Sequence, residues 1–116
     1  MTAEELRDLA RAALDEMKAV DVVVLDVRKT SSVTDYMLVA SGTSDRHVRS
    51  VVDGVLEQAR ERGVKPLGVE GETHGQWALV DLGDVIVHVM RPKVREFYQL
   101  EKLWGFGSEP ESGQAR

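Results

Sequence analysis

Acidic side chains that interrupt apolar stretches are the first candidates for chemistry in this chain: Asp26, Asp35, Glu70, Asp81 and Asp84. A two-metal site for phosphoryl transfer needs carboxylates close enough to share an ion. On a strand, side chains two apart share a face, so a D-x-D pair is the economical way to build one. No such pair occurs. Asp81 and Asp84 instead flank a candidate turn, where Asp ordinarily bonds neighbouring backbone. The histidines His47, His74 and His88 are isolated, and none has a partner at the i, i+4 spacing of a helical metal site. His88 lies inside an apolar run, which favours a half-buried, hydrogen-bonded imidazole over a general base. Serines 31, 32, 41, 44 and 50 lack a G-x-S-x-G elbow, and there is no cysteine to supply a thiolate. The run Gly42, Thr43, Ser44 ahead of a helix can offer N–H groups to a phosphate. It lacks the glycine spacing and the lysine of a P-loop, so capping is the preferred reading. Nucleophilic catalysis has no local support, and no catalytic, cofactor-binding or metal-binding residue is assigned.

The elements that carry these residues follow from periodicity. Thr2 and Glu5 form a capping-box pattern, and Leu6, Leu9, Ala10, Ala13, Leu14 and Met17 recur at helical spacing, predicting a first helix to about Val20. Residues 22–27 are β-branched and nearly all apolar, as in a strand buried on both faces, with Asp26 needing a polar explanation. After a polar loop over 28–33, residues 35–41 return to strand character. Ser44 then caps a second helix whose stripe is Val48, Val51, Val52, Val55, Leu56 and Ala59, ended by Gly63. A short strand near 67–69 precedes a loop with two glycines. Residues 77–82 and 85–90 form a hairpin about Gly83 and Asp84, with Gly first as in a type II′ turn. Pro92 opens a closing helix. The fold class is α/β or α+β, a mixed β-sheet flanked by helices: the hairpin is antiparallel, and a crossover through the second helix is parallel.

Composition narrows the class further. The chain has 116 residues, 42% hydrophobic and 30% charged, which suits one domain over 1–105 with a flexible polar tail over 106–116. Neither a signal peptide nor a membrane anchor is expected, and the absence of cysteine fits a cytoplasmic protein. A net charge of −5 disfavours a grip on many phosphates and favours a basic partner. Arg46, Arg49, Arg60, Arg62 and Lys65 do cluster, with a solvated helix face as the plain explanation.

Large aromatics gather in the last third: Trp77, Phe97, Tyr98 and Trp104, in a chain with only 5% aromatic residues. Such side chains anchor interfaces. Phe97 is assigned to the core, Trp77 suits either place, and Trp104 is the best contact candidate.

Across residues 6–104 the blocks VLDV (24–27), SSVTDY (31–36), SGTSDRHV (41–48), VEG (69–71), DLGDVIVHVM (81–90) and FYQLEKLWG (97–105) resemble the Iojap family of ribosomal silencing factors. The resemblance implies a fold related to nucleotidyltransferases but without their catalytic carboxylate pair, a protein that is not an enzyme, and no cofactor. It implies binding to the large ribosomal subunit through its ribosomal protein fourteen, which blocks association with the small subunit when nutrients are short. It also implies a homodimer in solution and no sequence-specific nucleic-acid binding. Carried onto this chain, the partner-binding surface comprises Trp77, His88, Met90, Tyr98, Leu100, Glu101, Lys102 and Trp104. Arg91, Pro92 and residues 72–75 fall where the family varies, so no role is carried onto them. The alternatives are an assembly factor for the large subunit and a residual nucleotidyltransferase using Asp35 or Glu70.

Overall fold

In the computed structural model, which describes residues 1–99, the chain begins with the expected capping box. Thr2 accepts the Glu5 amide at 3.0 Å and Glu5 accepts the Thr2 amide at 2.8 Å. Helix α1 spans Ala3–Glu16 and turns Leu6, Leu9, Ala10, Ala13 and Leu14 inward. It ends one turn earlier than the periodicity suggests. Lys18 adopts a left-handed φ of 61°, its amide bonds the Asp15 carbonyl, and the Ala19 amide bonds the Leu14 carbonyl. That is a Schellman closure made without glycine, and the β-branched run then starts a strand at Val20.

Among the described residues, strand β1 (Val20–Asp26) pairs antiparallel with β2 (Tyr36–Ser41) alone. It is therefore an edge strand, with Val22, Val23 and Val24 only half-buried, and not the doubly covered strand its apolar run suggests. Asp21, at φ 53°, breaks the register near its start. Asp26 finds its polar explanation in Arg28, which donates to both carboxylate oxygens at 2.9 and 2.6 Å and holds the acid down at a pKa of about 2. Every residue of β2 is buried.

Helix α2 (Asp45–Glu61) starts at the Ser44 cap, whose hydroxyl accepts the His47 amide at 3.0 Å. It closes at Gly63, where a φ of 77° and bonds from the Gly63 and Val64 amides form a second Schellman motif. Gly42 is required by a close approach, because a Cβ there would lie 2.6 Å from Val48 Cγ2. Short strand β3 (Gly68–Glu70) leads to the hairpin of β4 (Trp77–Asp81) and β5 (Val85–Met90). Gly83 has φ 93° while Asp84 does not have a positive φ, as a type II′ turn requires. Helix α3 runs from Pro92 to Tyr98, with proline in its first turn.

The five strands are ordered β1-β2-β5-β4-β3. Among the described residues only β2 and β5 are parallel neighbours, so the sheet is mixed and the class is α+β, as expected. Helices α1 and α2 share one face and enclose the larger core, in which Leu14, Leu38, Val51, Val55, Val80 and Val87 are fully buried. The opposite face carries a second cluster of Leu25, Val27, Met37, Val39 and Met90, against which Trp77 and Val94 pack. Side chains alternate between the two faces, which is why a single strand serves both clusters.

Candidate functional site

The hairpin register fixes the site. Trp77 lies opposite Met90 and Leu79 opposite His88, so the side chains of 77, 79, 88 and 90 share the sheet face away from α1 and α2. Trp77 and His88 are diagonal neighbours, and the indole Nε1–H donates to His88 Nδ1 at 3.0 Å. A neutral imidazole that accepts at Nδ1 must carry its proton on Nε2. Burial pushes the His88 pKa down to about 4, which keeps the ring neutral.

Helix α3 extends this cluster outward. The Tyr98 ring lies 4.7 Å from that of Trp77, and Phe97 meets Tyr98 edge-on at 4.9 Å and 83°. Tyr98 is 50% exposed and Phe97 is 78% exposed. The assignment of Phe97 to the core is thus corrected: a seven-residue helix with no buried residue turns it to solvent. Exposed aromatics in contact form a surface that excludes water from a partner with little loss of side-chain freedom, because each ring has few rotatable bonds.

Of the residues named from the family resemblance, Trp77, His88, Met90 and Tyr98 are brought together here. Trp77 is half-buried and bridges the strand face and α3, whereas Met90 is fully buried beneath it. Leu100, Glu101, Lys102 and Trp104 lie outside the described residues. Leu79 and Ile86 share this sheet face without having been singled out, and Phe97 joins the surface instead of the core. A two-residue turn at 83–84 pairs residues whose numbers sum to 167, so the register that unites Trp77, Leu79 and His88 was available from the turn.

The remaining polar candidates serve the fold. His47 accepts the Thr43 amide at Nδ1, 2.9 Å away, and places Nε2 2.9 Å from the Met17 carbonyl, tying the end of α1 to the start of α2. Asp81 accepts the Gly83 amide at 2.9 Å, as expected of a turn residue. Asp35 precedes β2 and Glu70 ends β3, two strands that point the same way with β5 and β4 between them. They lie at opposite ends of the sheet and about 14 Å apart across it, too far to share an ion. Among the described residues no group of three potential ligands is close enough to hold a metal.

A family model described as ribosomal silencing factor during starvation matches residues 1–115. Ribosomal silencing factor RsfS of Chromobacterium violaceum is 44% identical over 110 residues, covering 95% of this chain and 89% of that protein. A crystal structure of a protein from the same organism superposes with a TM-score of 0.90 at 43% identity, covering 96% of this chain and 92% of the other. More distant relatives include the chloroplastic protein Iojap of Zea mays, 35% identical over 100 residues. The mouse mitochondrial assembly of ribosomal large subunit protein 1 is 34% identical over 100 residues, 84% of this chain and 44% of that protein.

Proposed function

This chain belongs to the ribosomal silencing factor family, and from that premise we propose that it docks on the large ribosomal subunit through ribosomal protein fourteen and keeps the small subunit away by occupying its place. The observation that carries the proposal is the chain of ring contacts from half-buried Trp77 through Tyr98 to exposed Phe97 on the hairpin and α3. His88, fixed as the Nε2–H tautomer by Trp77, adds an orienting donor, and buried Met90 supports the indole from beneath. We extend the surface along the chain to Leu100, Glu101, Lys102 and Trp104. Glu96 and Glu101 suit a basic ribosomal protein and would speed association more than they deepen it.

Occupancy needs no bond to be made or broken, and Asp26 is held by Arg28, Asp81 by its turn, and Asp35 and Glu70 lie apart, which suits a non-enzymatic role. No described helix is long and apolar enough to cross a membrane, in keeping with work on ribosomes in the cytoplasm. A homodimer in solution, joined through apolar surface given up on docking, completes the proposal. The direct test is co-sedimentation with purified large and small subunits. Pelleting with large subunits alone is the expected result, and failure to pellet with them at micromolar concentration refutes it.

A second reading, assembly of the large subunit, is favoured by the name of the mouse relative. Under that reading, tagged protein follows precursor particles and leaves mature ones.

A further inference from the structure

Strands β2 and β5 run parallel and end side by side, with Ser41 opposite Met90. The segments leaving those two ends bring Arg46 and Arg49 of α2 to the same corner as Arg91, Lys93 and Arg95 around α3. The contacts there are close. Arg91 Nη1 lies 2.7 Å from Asp45 Oδ1, and Arg95 Nη1 donates to Ser41 Oγ at 3.1 Å. A Cβ on Gly75 would lie 2.6 Å from the Asp45 carbonyl oxygen and 2.9 Å from Arg49 Nη1, so Arg49 reaches the same place from the other side. Arg46, Arg49 and Lys93 are exposed and make no ion pair or side-chain hydrogen bond among the described residues. The Nε of Arg91 is buried there without a partner.

Folding does not account for this arrangement. Cations are favourable near a helix C-terminus and unfavourable near its N-terminus. Arg60 and Arg62, at the last turn of α2, follow that rule, whereas Arg46 in its first turn opposes it and Arg49, one turn on, gains nothing from it. They add positive charge to the end of the sheet where Asp45 already pairs with Arg91, on a chain whose net charge is −5. The other end of the sheet is acidic, with Asp26, Asp35, Asp81 and Asp84. A cationic corner held against both the helix dipole and its own repulsion calls for an anionic partner.

We propose that this corner contacts the phosphate backbone of ribosomal RNA beside the protein-docking surface. The inference rests on the docking reading above. Helix α3 joins the two surfaces, since Arg91 precedes its first residue and Tyr98 at its end lies against Trp77. The corner therefore borders the aromatic surface through α3, with Arg46 and Arg49 on the α2 side of the sheet end, and the particle's surface between proteins is RNA. Contacts to phosphates fix orientation and carry no sequence information, and a handful of them is compatible with an acidic protein.

The test uses Arg46→Glu with Arg49→Glu, and as a charge-matched control Arg60→Glu with Arg62→Glu at the other end of α2. Affinity is measured against intact large subunits over a salt series and against isolated ribosomal protein fourteen. The Arg46/Arg49 variant is expected to bind subunits at least about tenfold more weakly, with a log–log salt slope smaller by roughly 2, one per lost phosphate contact. Its binding to the isolated protein and the control's binding to both should match the parent. The assignment is overturned if the variant binds subunits like the parent, if it weakens equally on the isolated protein, or if the control weakens as much. A parent that binds neither target overturns the docking reading itself and the inference with it. Thermal melting verifies the fold, and neutral Arg46→Gln with Arg49→Gln replaces the first variant should it melt early.

Discussion

Between neutral pH and pH 5, acid should weaken this protein through one residue, His88. In the folded chain its pKa is pushed down to about 4 by burial, against an ordinary value of 6.5. Between those values the unfolded chain binds a proton that the folded chain refuses, so stability is complete above pH 6.5 and is lost as pH falls toward 4. At pH 5 the loss from this one group is about 2 kcal/mol, and its full value near pH 3 is on the order of 3 kcal/mol. The Trp77 indole reinforces the effect, because a protonated ring has no lone pair left to accept its N–H. Asp26, with a pKa lowered to about 2 by Arg28, also loses its contribution in acid, but only below its ordinary value of 3.8. The window from pH 7.5 to 5 therefore isolates the histidine. The assay is urea unfolding of the parent and of His88→Gln, which keeps an acceptor for Trp77 but does not titrate. The parent should lose about 2 kcal/mol more than the variant between the two pH values. Equal losses in the two proteins would show that His88 is not the buried neutral base described here.

Three further outcomes follow from particular contacts. Phe97→Ser removes a ring that is 78% exposed, so unfolding stability should change by less than about 0.5 kcal/mol while affinity for large subunits falls about tenfold. Gly42→Ala forces a Cβ to within 2.6 Å of Val48 Cγ2 and 3.0 Å of the Val48 amide, and should cost about 1–3 kcal/mol in urea unfolding. Trp104→Ala should leave the melting temperature unchanged yet weaken subunit binding at least about tenfold, and a loss of fold would mean that this tryptophan is core.

Much of the fold was legible because its signals are local. Ser44 and Gly63 bound α2 by capping chemistry, and Gly83 with Asp84 set the hairpin and its register. The end of α1 was not legible, because Lys18 takes a left-handed conformation that sequence patterns reserve for glycine. The place of β1 at the sheet edge depends on pairings far apart in the chain, and an apolar run reads the same at an edge or in the middle. Phe97 misleads for a related reason. Helical spacing tells which side chains share a stripe, but not which way a short helix presents that stripe. The site itself was half legible: the aromatics are visible by type, while the Trp77–His88 hydrogen bond emerges only when the hairpin register is carried through residue by residue.

Subunit joining, followed by light scattering with the chain premixed with one subunit or the other, addresses the occupancy mechanism most directly. Premixing with large subunits should slow joining in proportion to the fraction occupied, and Phe97→Ser should blunt the effect at equal concentration. Unimpeded joining at saturating protein, or equal inhibition when small subunits are the ones premixed, would contradict it.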